Sequence, residues 1–508
     1  MHLVGHIDAL DDGCIAGWAV LADDATGSVA TSLVLDLVHD GVVIATFNAA
    51  GMRPDVAGQL GGDGRCGFRV PVPTRLRDGI RRELDIRHPE WPGVPVNSPV
   101  TIQAAGTEIR SRFISCKTDF ERDAHACHED ADQRAAILRN GEQAGFIHDL
   151  GEVFPGYRMT RPAPRIIDPA NDPFERELAD IYAAIAKKRA VGTSSRLVRL
   201  TDVYVCNSRI HHIADDDVFT IYETARPPDR PYTEQPDWTP ATLRAAATEY
   251  DGPATPLYLG SPGYGNYGHW LTDDLAHAKS AETIAGITGT KVQIVIPAAD
   301  GRLDEIKNET LQAFYSEHLV PGARFIPPNV PIHFPVLHYA SPHSYHPVLK
   351  SPTACRHLRA CAKSIVGASP PGGAGTRLFV ARNPRHGRGI TNSRDVMACL
   401  ARLGFKTIDP DRMSFIDQVA AFTSASIVVG QMGAAMTNTM FCTPGTTLLY
   451  LAPRGWVEPF YWDLAAVCGQ DYVVQYGTPS NRHAEAHRDD FTIDIISLET
   501  AIAGLTSR

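Results

Sequence analysis

From about residue 196 the chain repeats one pattern: a short run apolar on both faces, a polar loop, then a helical stretch. The runs are PLYLG at 256–260, KVQIVIP at 291–297, RLFVA at 377–381, SIVVG at 426–430 and TLLYLAP at 447–453. Strands that are apolar on both faces and spaced by helices predict an α/β fold with parallel sheets covered on both sides. The length from 196 to the end accommodates two such sheets, with a break near SPPGGAG at 369–375.

Residues 1–103 have a different rhythm, in which short apolar runs alternate with turn signals. In LVLDLVHDGVVIATF, Asp40-Gly41 supplies the positive-φ residues of a two-residue hairpin turn. A small all-β domain is the expectation. Residues 104–195 are mixed and polar, with helices expected over 130–146 and 172–191. The second opens at Asp172-Pro173 and closes on Lys187, Lys188 and Arg189, the charge order a helix dipole favours. This stretch reads as a mixed, helical linker region. The expected domains are therefore 1–103, 104–195, 196–368 and 369–508.

Composition narrows the function. The 508 residues are 44% hydrophobic and 21% charged, which suits a folded protein of about three domains. A net charge of -10 argues against a nucleic-acid binder, which relies on an excess of Lys and Arg. The start lacks the charged and apolar regions of a signal peptide, no run of 18 apolar residues occurs, and the ten cysteines form no CxxC pair. The expectation is a cytoplasmic protein with reduced thiols. A zinc site built on Cys116, His125, Cys127 and His128 matches no common spacing.

Three segments carry chemistry, each in a loop after a predicted strand, where open parallel sheets bind ligands. The first is SPGYGNYGHWLTDDLAHAKSAE. Here His269 and Asp273 fall four residues apart on one helix face and form a candidate acid/base pair, while Asp274 points elsewhere. A capped helix start with a buried Trp270 indole is the structural alternative. An adjacent acidic pair also suggests a metal-binding DXD motif, but consecutive helical carboxylates diverge. In the second, RLFVARNPRHGRGITNSRDVMACLARLGF, the residues Arg382, Arg385 and Arg388 crowd a loop ahead of a helix that starts near Asn392 or Ser393. Guanidinium groups and a helix amino end suit a diphosphate. The third centres on GQMGAAMTN, where Gly433, Ala434 and Ala435 let a ligand lie against backbone and Thr437 and Asn438 offer hydrogen bonds.

Together the three segments resemble glycosyltransferase family 61 over roughly 195–500. The front match is Asn266, Tyr267, His269, Trp270, Leu271, Asp273 and Leu275, with Ala276 and His277 in place of the family's Pro-Arg. The middle match is Arg382, Arg388, Ile390 and Asn392, with Ser393 where an acidic residue is common. The rear match is Gly430, Gly433, Ala434, Thr437, Asn438, Phe441, Pro444 and Gly445, with Met432 at the family's His position. Residues Gly17-Trp18-Ala19, Arg53-Pro54-Asp55-Val56-Ala57, Gly67-Phe68 and Ser98-Pro99 resemble a β-sandwich module found on bacterial glycosyltransferases. The plain reading is that Trp18 and Phe68 are core and Arg53 pairs with Asp55.

The resemblance implies a GT-B type enzyme with two Rossmann-like domains facing a cleft, 196–368 for the acceptor and 369–508 for the donor. It implies inverting transfer from a nucleotide sugar, most often a UDP-sugar carrying N-acetylglucosamine or xylose, to an oligosaccharide or lipid-linked glycan. The β module and the expected bacterial, cytoplasmic setting point to an acceptor in surface polysaccharide synthesis, with peripheral association with the inner membrane. Asp273 or His269 would be the base. Arg382, Arg388, Asn392, Gly433, Ala434, Thr437 and Asn438 would hold the donor, with Asn266, Tyr267 and Trp270 in the acceptor cleft. No metal or cofactor is required, since arginines can replace a divalent cation at the diphosphate, and cleft closure would bring the halves together. The rivals are a catalytically silent glycan-binding or assembly protein, and a metal-dependent hydrolase on His338, His343 and His346.

Overall fold

The computed structural model describes residues 1–506 except 12–13, 24, 40, 73–81, 103–112, 117–136, 141–144, 168–173, 175–177, 179, 184–189, 193, 215–216, 226–237, 254, 300, 346–348, 368–374, 384–386 and 482–484. The chain forms two compact units, Met1–Ser111 and Arg112–Arg508. Arg385, His346 and the His125–His128 cluster lie outside the described residues, as does most of the helix expected over 172–191. Where a helix was expected over 130–146, the described residues Ile137–Asn140 form a strand.

The first unit consists of two antiparallel sheets. One pairs His2–Asp11, Cys14–Ala22, Arg65–Pro71 and Gly51–Met52, with Val29–Ala30 beside them; the other pairs Val42–Ala49, Leu33–His39, Arg82–Arg87 and Val100–Ile102. Alternation drives the assembly: Leu33, Leu35 and Leu37 turn inward while Val34 is exposed. They join Leu3, Ile7, Ile15, Phe68, Val70, Leu84 and Ile86 in one core to which both sheets contribute. His39 faces Val42 across the hairpin, and Gly41 takes the positive φ its turn needs. Arg53 is bidentate to Asp55, at 2.9 and 2.7 Å, and also reaches Asp8.

The second unit is mixed α/β and holds two large sheets. The more carboxy-terminal one places Thr376–Val380, Lys406–Ile408, Ala425–Gln431, Thr447–Pro453 and Asp471–Pro479 in parallel. Numbered along the chain, these five lie in the spatial order 2-1-3-4-5, the flavodoxin-like winding. The crossovers to and from its first three strands run through the helices Ser393–Arg402 and Phe415–Thr423, each presenting an apolar face to the sheet.

The other sheet is mixed. Its parallel part orders Ile332–Ala340, Pro256–Tyr258, Gln293–Pro297 and Arg324–Ile326, and an antiparallel meander of Ser195–Cys206, Arg209–Ala214 and Asp217–Ile221 extends it from Ile332–Ala340. The stretch expected as a helical linker supplies strands to both sheets. Ile147–Phe154 pairs with Ser195–Cys206, and Arg165–Ile167 adds a parallel strand beside Asp471–Pro479.

The sheets share one hydrophobic core. Leu257, Ile294 and Ile296 of the mixed sheet and Val380, Val428, Leu448, Tyr450 and Val474 of the flavodoxin-like sheet belong to the same buried cluster. Phe314 packs its ring on Phe415 at 5.3 Å and on Phe441 at 6.2 Å. A hinge that parted the sheets would expose this surface at about 25 cal/mol per Å2, which opposes the cleft closure expected from the sequence. Among the described residues no helix is long and apolar enough to cross a membrane.

Candidate functional site

The loops that follow strands one and three of the flavodoxin-like sheet diverge where the strand order reverses, the place such sheets bind ligands. Between them opens a cavity of about 610 Å3 lined by Arg382 and Arg388 from the first loop and Gly433 and Ala434 from the second. Asn266 and Tyr267 of the front segment line it too, with Gln418, Asp411 and Arg302. Three segments more than a hundred residues apart in places thus converge on one space.

The cavity is built for an anion. Burial lowers the Arg382 pKa, against the pull of Tyr461 and Asp411. Burial and the neighbouring Arg382 charge lower that of Arg388 to about 10. Two guanidinium groups held together in a partly dry pocket repel each other, and a diphosphate would relieve both costs. Arg388 also takes a left-handed backbone, φ 57, uncommon for a residue with a side chain. Its carbonyl accepts from the Gln431 amide, and its guanidinium stacks 4.1 Å over Trp456.

Small residues set the close approaches. A Cβ on Gly433 would meet Arg382 Nη1 at 2.2 Å, so only glycine lets that guanidinium lie on the loop backbone. A Cβ on Gly268 would come within 2.8 Å of Thr437 Oγ1, which explains how the front segment presses onto the rear one. Tyr267 Oη donates to Asn438 Oδ1 at 2.7 Å, and Asn438 Nδ2 donates to Gln418 Oε1 at 2.7 Å. Gln418 passes its own protons to the Pro410 and Met413 carbonyls. This chain fixes every amide orientation and ties the two sheets together at the cavity wall.

The front helix begins at Asn266, whose side chain caps the Gly268 N–H at 2.7 Å. After one turn it widens: the Leu275 N–H reaches the Trp270 carbonyl five residues back, a π turn of the kind often found at functional sites. His269 Nδ1 and Asp273 Oδ2 lie 2.7 Å apart. Burial opposes charge on His269, but the hydrogen bond and charge of Asp273 outweigh it and raise the pKa above the ordinary imidazole value. Asp273 Oδ1 accepts from Ser344 at 2.6 Å and Thr272 at 3.0 Å. The widened turn overturns one expectation: Asp274 does not point away but lines the same cavity, of about 200 Å3, as His269 and Asp273. It accepts from the Ser261 N–H and hydroxyl at 3.0 and 3.1 Å. Burial, then the Asp273 charge, push its pKa up to about 7.

Several expected site residues stand back from the cavities. Trp270 is wholly buried and donates to Thr310 Oγ1 at 2.9 Å, so it is a core residue. Asn392 bonds the Ile493 backbone on both sides and serves the helix start. Thr437 and Asn438 are fully buried beneath the cavity wall. Met432 also points into the shared core, so its thioether does not face the 610 Å3 cavity. His338 bonds the Pro256 carbonyl and His343 stacks on Phe154 at 5.2 Å. Among the described residues no group of three His, Cys, Asp or Glu could hold a metal ion.

Sequence reading missed the residues that join the two cavities. Burial raises the Glu458 pKa against the pull of Lys350, Arg388 and His269, so all three cations act on one carboxyl. Lys350 sits 3.7 Å over the Phe460 ring and 3.6 Å from Asp463, which also pairs with Arg161. Burial and the Glu458 charge push the Tyr461 phenol pKa up, against the pull of Arg388 and Arg382. The signal available was Pro459, a first-turn proline that marks a helix capped by Glu458.

Residues 267–449, which take in most of the three segments, match the family model described as Glycosyltransferase 61. Over this stretch the chain is similar to glycosyltransferase family 61. Over 91 residues it is 34% identical to a xylan glycosyltransferase, MUCI21, of Arabidopsis thaliana; this covers 17% of the present chain and 18% of that relative. The match thus spans less than a fifth of the relative's length. Among solved structures, it is similar to the bacterial iron-containing dodecameric glycosyltransferase TibC from enterotoxigenic E. coli, over 62% of this chain and 93% of that one. Identity there is 9% and the TM-score 0.24, too low to carry any argument. The matched residues include key elements of both cavities: the His269–Asp273 pair, the two arginines and the Gly433 loop all fall within 267–449.

Proposed function

We propose that the chain is an inverting glycosyltransferase that moves a sugar from a nucleotide sugar, a UDP-sugar by family habit, to a glycan or lipid-linked glycan. The observation that carries this reading is the arginine-lined cavity at the switch point of a flavodoxin-like sheet. In the reaction the acceptor hydroxyl oxygen attacks the anomeric carbon from the face opposite the diphosphate. The carbon–oxygen bond to the diphosphate breaks, and its electron pair leaves on the nucleotide. The hydroxyl proton passes to the His269–Asp273 pair, while Arg382 and Arg388 neutralise the charge that develops on the leaving group. Gly433 and Ala434 would let the nucleotide lie on the loop.

The arrangement is read as a GT-B variant in which the donor half is Rossmann-like and the acceptor half carries an added antiparallel meander. The first unit is read as a β-sandwich module, which suits a cytoplasmic, membrane-peripheral role in bacterial surface polysaccharide synthesis. Arginines rather than a metal serve the diphosphate in this scheme. A thermal-shift screen across nucleotides and nucleotide sugars tests it, because a ligand at a hundred times its Kd adds about 2.7 kcal/mol of stability. A nucleoside diphosphate should raise Tm in EDTA, and R382A/R388A should abolish the shift. A protein that ignores every nucleotide would instead be a silent glycan-binding scaffold.

A further inference from the structure

The second cavity has no counterpart in the donor chemistry. It lies where the parallel part of the mixed sheet reverses its order, between the loops after Pro256–Tyr258 and after Ile332–Ala340. That is the position at which an open sheet binds a ligand of its own. Its lining combines the carboxylates of Glu223, Asp273 and Asp274 with the apolar surfaces of Tyr339 and Pro342, and includes no Lys or Arg among the described residues. At about 200 Å3 it is a third the size of the arginine-lined cavity.

One wall group points to a ligand. Tyr258 is 1% exposed and lines the cavity, yet its hydroxyl finds no hydrogen-bond partner in the protein. Ser208 lies near enough to act on the phenol's ionisation, but the two hydroxyls do not meet in hydrogen-bond geometry, and Ser208 gives its own proton to the Ser261 carbonyl at 3.1 Å. A buried phenol without a partner costs free energy that an incoming polar group recovers. Carboxylates arranged beside apolar surface accept hydroxyl protons while the ring carbons lie on the walls.

We propose that this cavity receives a single uncharged sugar ring, the terminal unit of the acceptor, with one hydroxyl directed at the His269–Asp273 pair. The inference rests on the transferase reading and adds a substrate class to it. With no Lys or Arg in the lining and the His269 imidazole already paired with Asp273, the carboxyls of Glu223 and Asp274 make the site hostile to uronic acids and phosphorylated sugars, so the acceptor terminus is a neutral, hydroxyl-rich glycose. Tyr258 is its specificity contact.

Binding is measured on the full chain with UDP present, by saturation-transfer NMR with methyl glycosides of glucose, galactose, xylose and N-acetylglucosamine and with methyl glucuronide and galacturonide. At least one neutral glycoside should bind, with its uronide counterpart about tenfold weaker or more. Tyr258→Phe should weaken the neutral glycoside about tenfold and leave UDP affinity and Tm unchanged, since the lost hydroxyl has no partner in the protein. Equal binding of the uronide, unchanged binding by the Phe variant, or no neutral glycoside bound would each overturn the proposal. UDP binding in the same sample reports separately on the donor reading.

Discussion

Replacing Gly433 by Ala isolates the role of the arginine cradle. The backbone there is extended, φ 173, so alanine adopts it without strain. The added Cβ would lie 2.2 Å from Arg382 Nη1, whereas an unstrained contact needs about 3.5 Å. The guanidinium is the far end of a flexible chain and retreats by roughly 1 Å, enough to break a charge-assisted hydrogen bond to a bound diphosphate. Such a bond contributes about 1.5–3 kcal/mol, or roughly ten- to a hundredfold in Kd. Calorimetric titration with UDP should show that loss while Tm moves by no more than a degree or two. In an R382A background the Ala substitution should add nothing, because the group it displaces is already gone. An unchanged UDP Kd in G433A, or full additivity with R382A, would refute the reasoning.

Three further outcomes follow from the site. Asp273→Asn should cut kcat by on the order of a hundredfold or more, and the acidic limb of kcat/KM should move to lower pH, because burial and the Lys350 charge then act on His269 against only the weaker pull of Asp274; an unmoved limb excludes the pair as the base. Asp274 binds its proton more tightly folded than unfolded, so its contribution to stability is full below about pH 4 and is lost as pH rises through about 7; Tm should fall across that window, and D274N should flatten the slope. Met432→His should lower stability by about 1–3 kcal/mol without restoring or improving transfer, because the side chain enters the core; a gain in activity at unchanged Tm would contradict this placement.

The sequence made the five doubly apolar runs legible because burial on both faces leaves a mark no loop shares: 256–260, 291–297, 377–381, 426–430 and 447–453 all contain observed strands. The meander from Ser195 to Ile221 left no such mark, since Arg199, Thr201 and His211 interrupt its apolar pattern. Arg165–Ile167 was beyond reach for another reason. Three residues carry no periodicity, and their partner strand lies some 300 positions away. At the site, loop position after a strand pointed to Arg382, Arg388 and Gly433. The inward turn of Asp274 depends on a π turn that side-chain spacing does not announce. Glu458, Tyr461 and Lys350 come from separate elements and meet only in three dimensions.

The core common to both large sheets bears on how this protein could be altered. Donor and acceptor halves that merely touch could be exchanged between relatives to make new pairings of sugar and acceptor. Here a graft at the break near 369–375 would ask side chains such as Phe314, Phe415 and Phe441 to interlock with strangers. A change of substrate is more safely sought in the loops that ring the two cavities, such as those carrying Ala435 and Pro342, while the joint between the sheets is left intact.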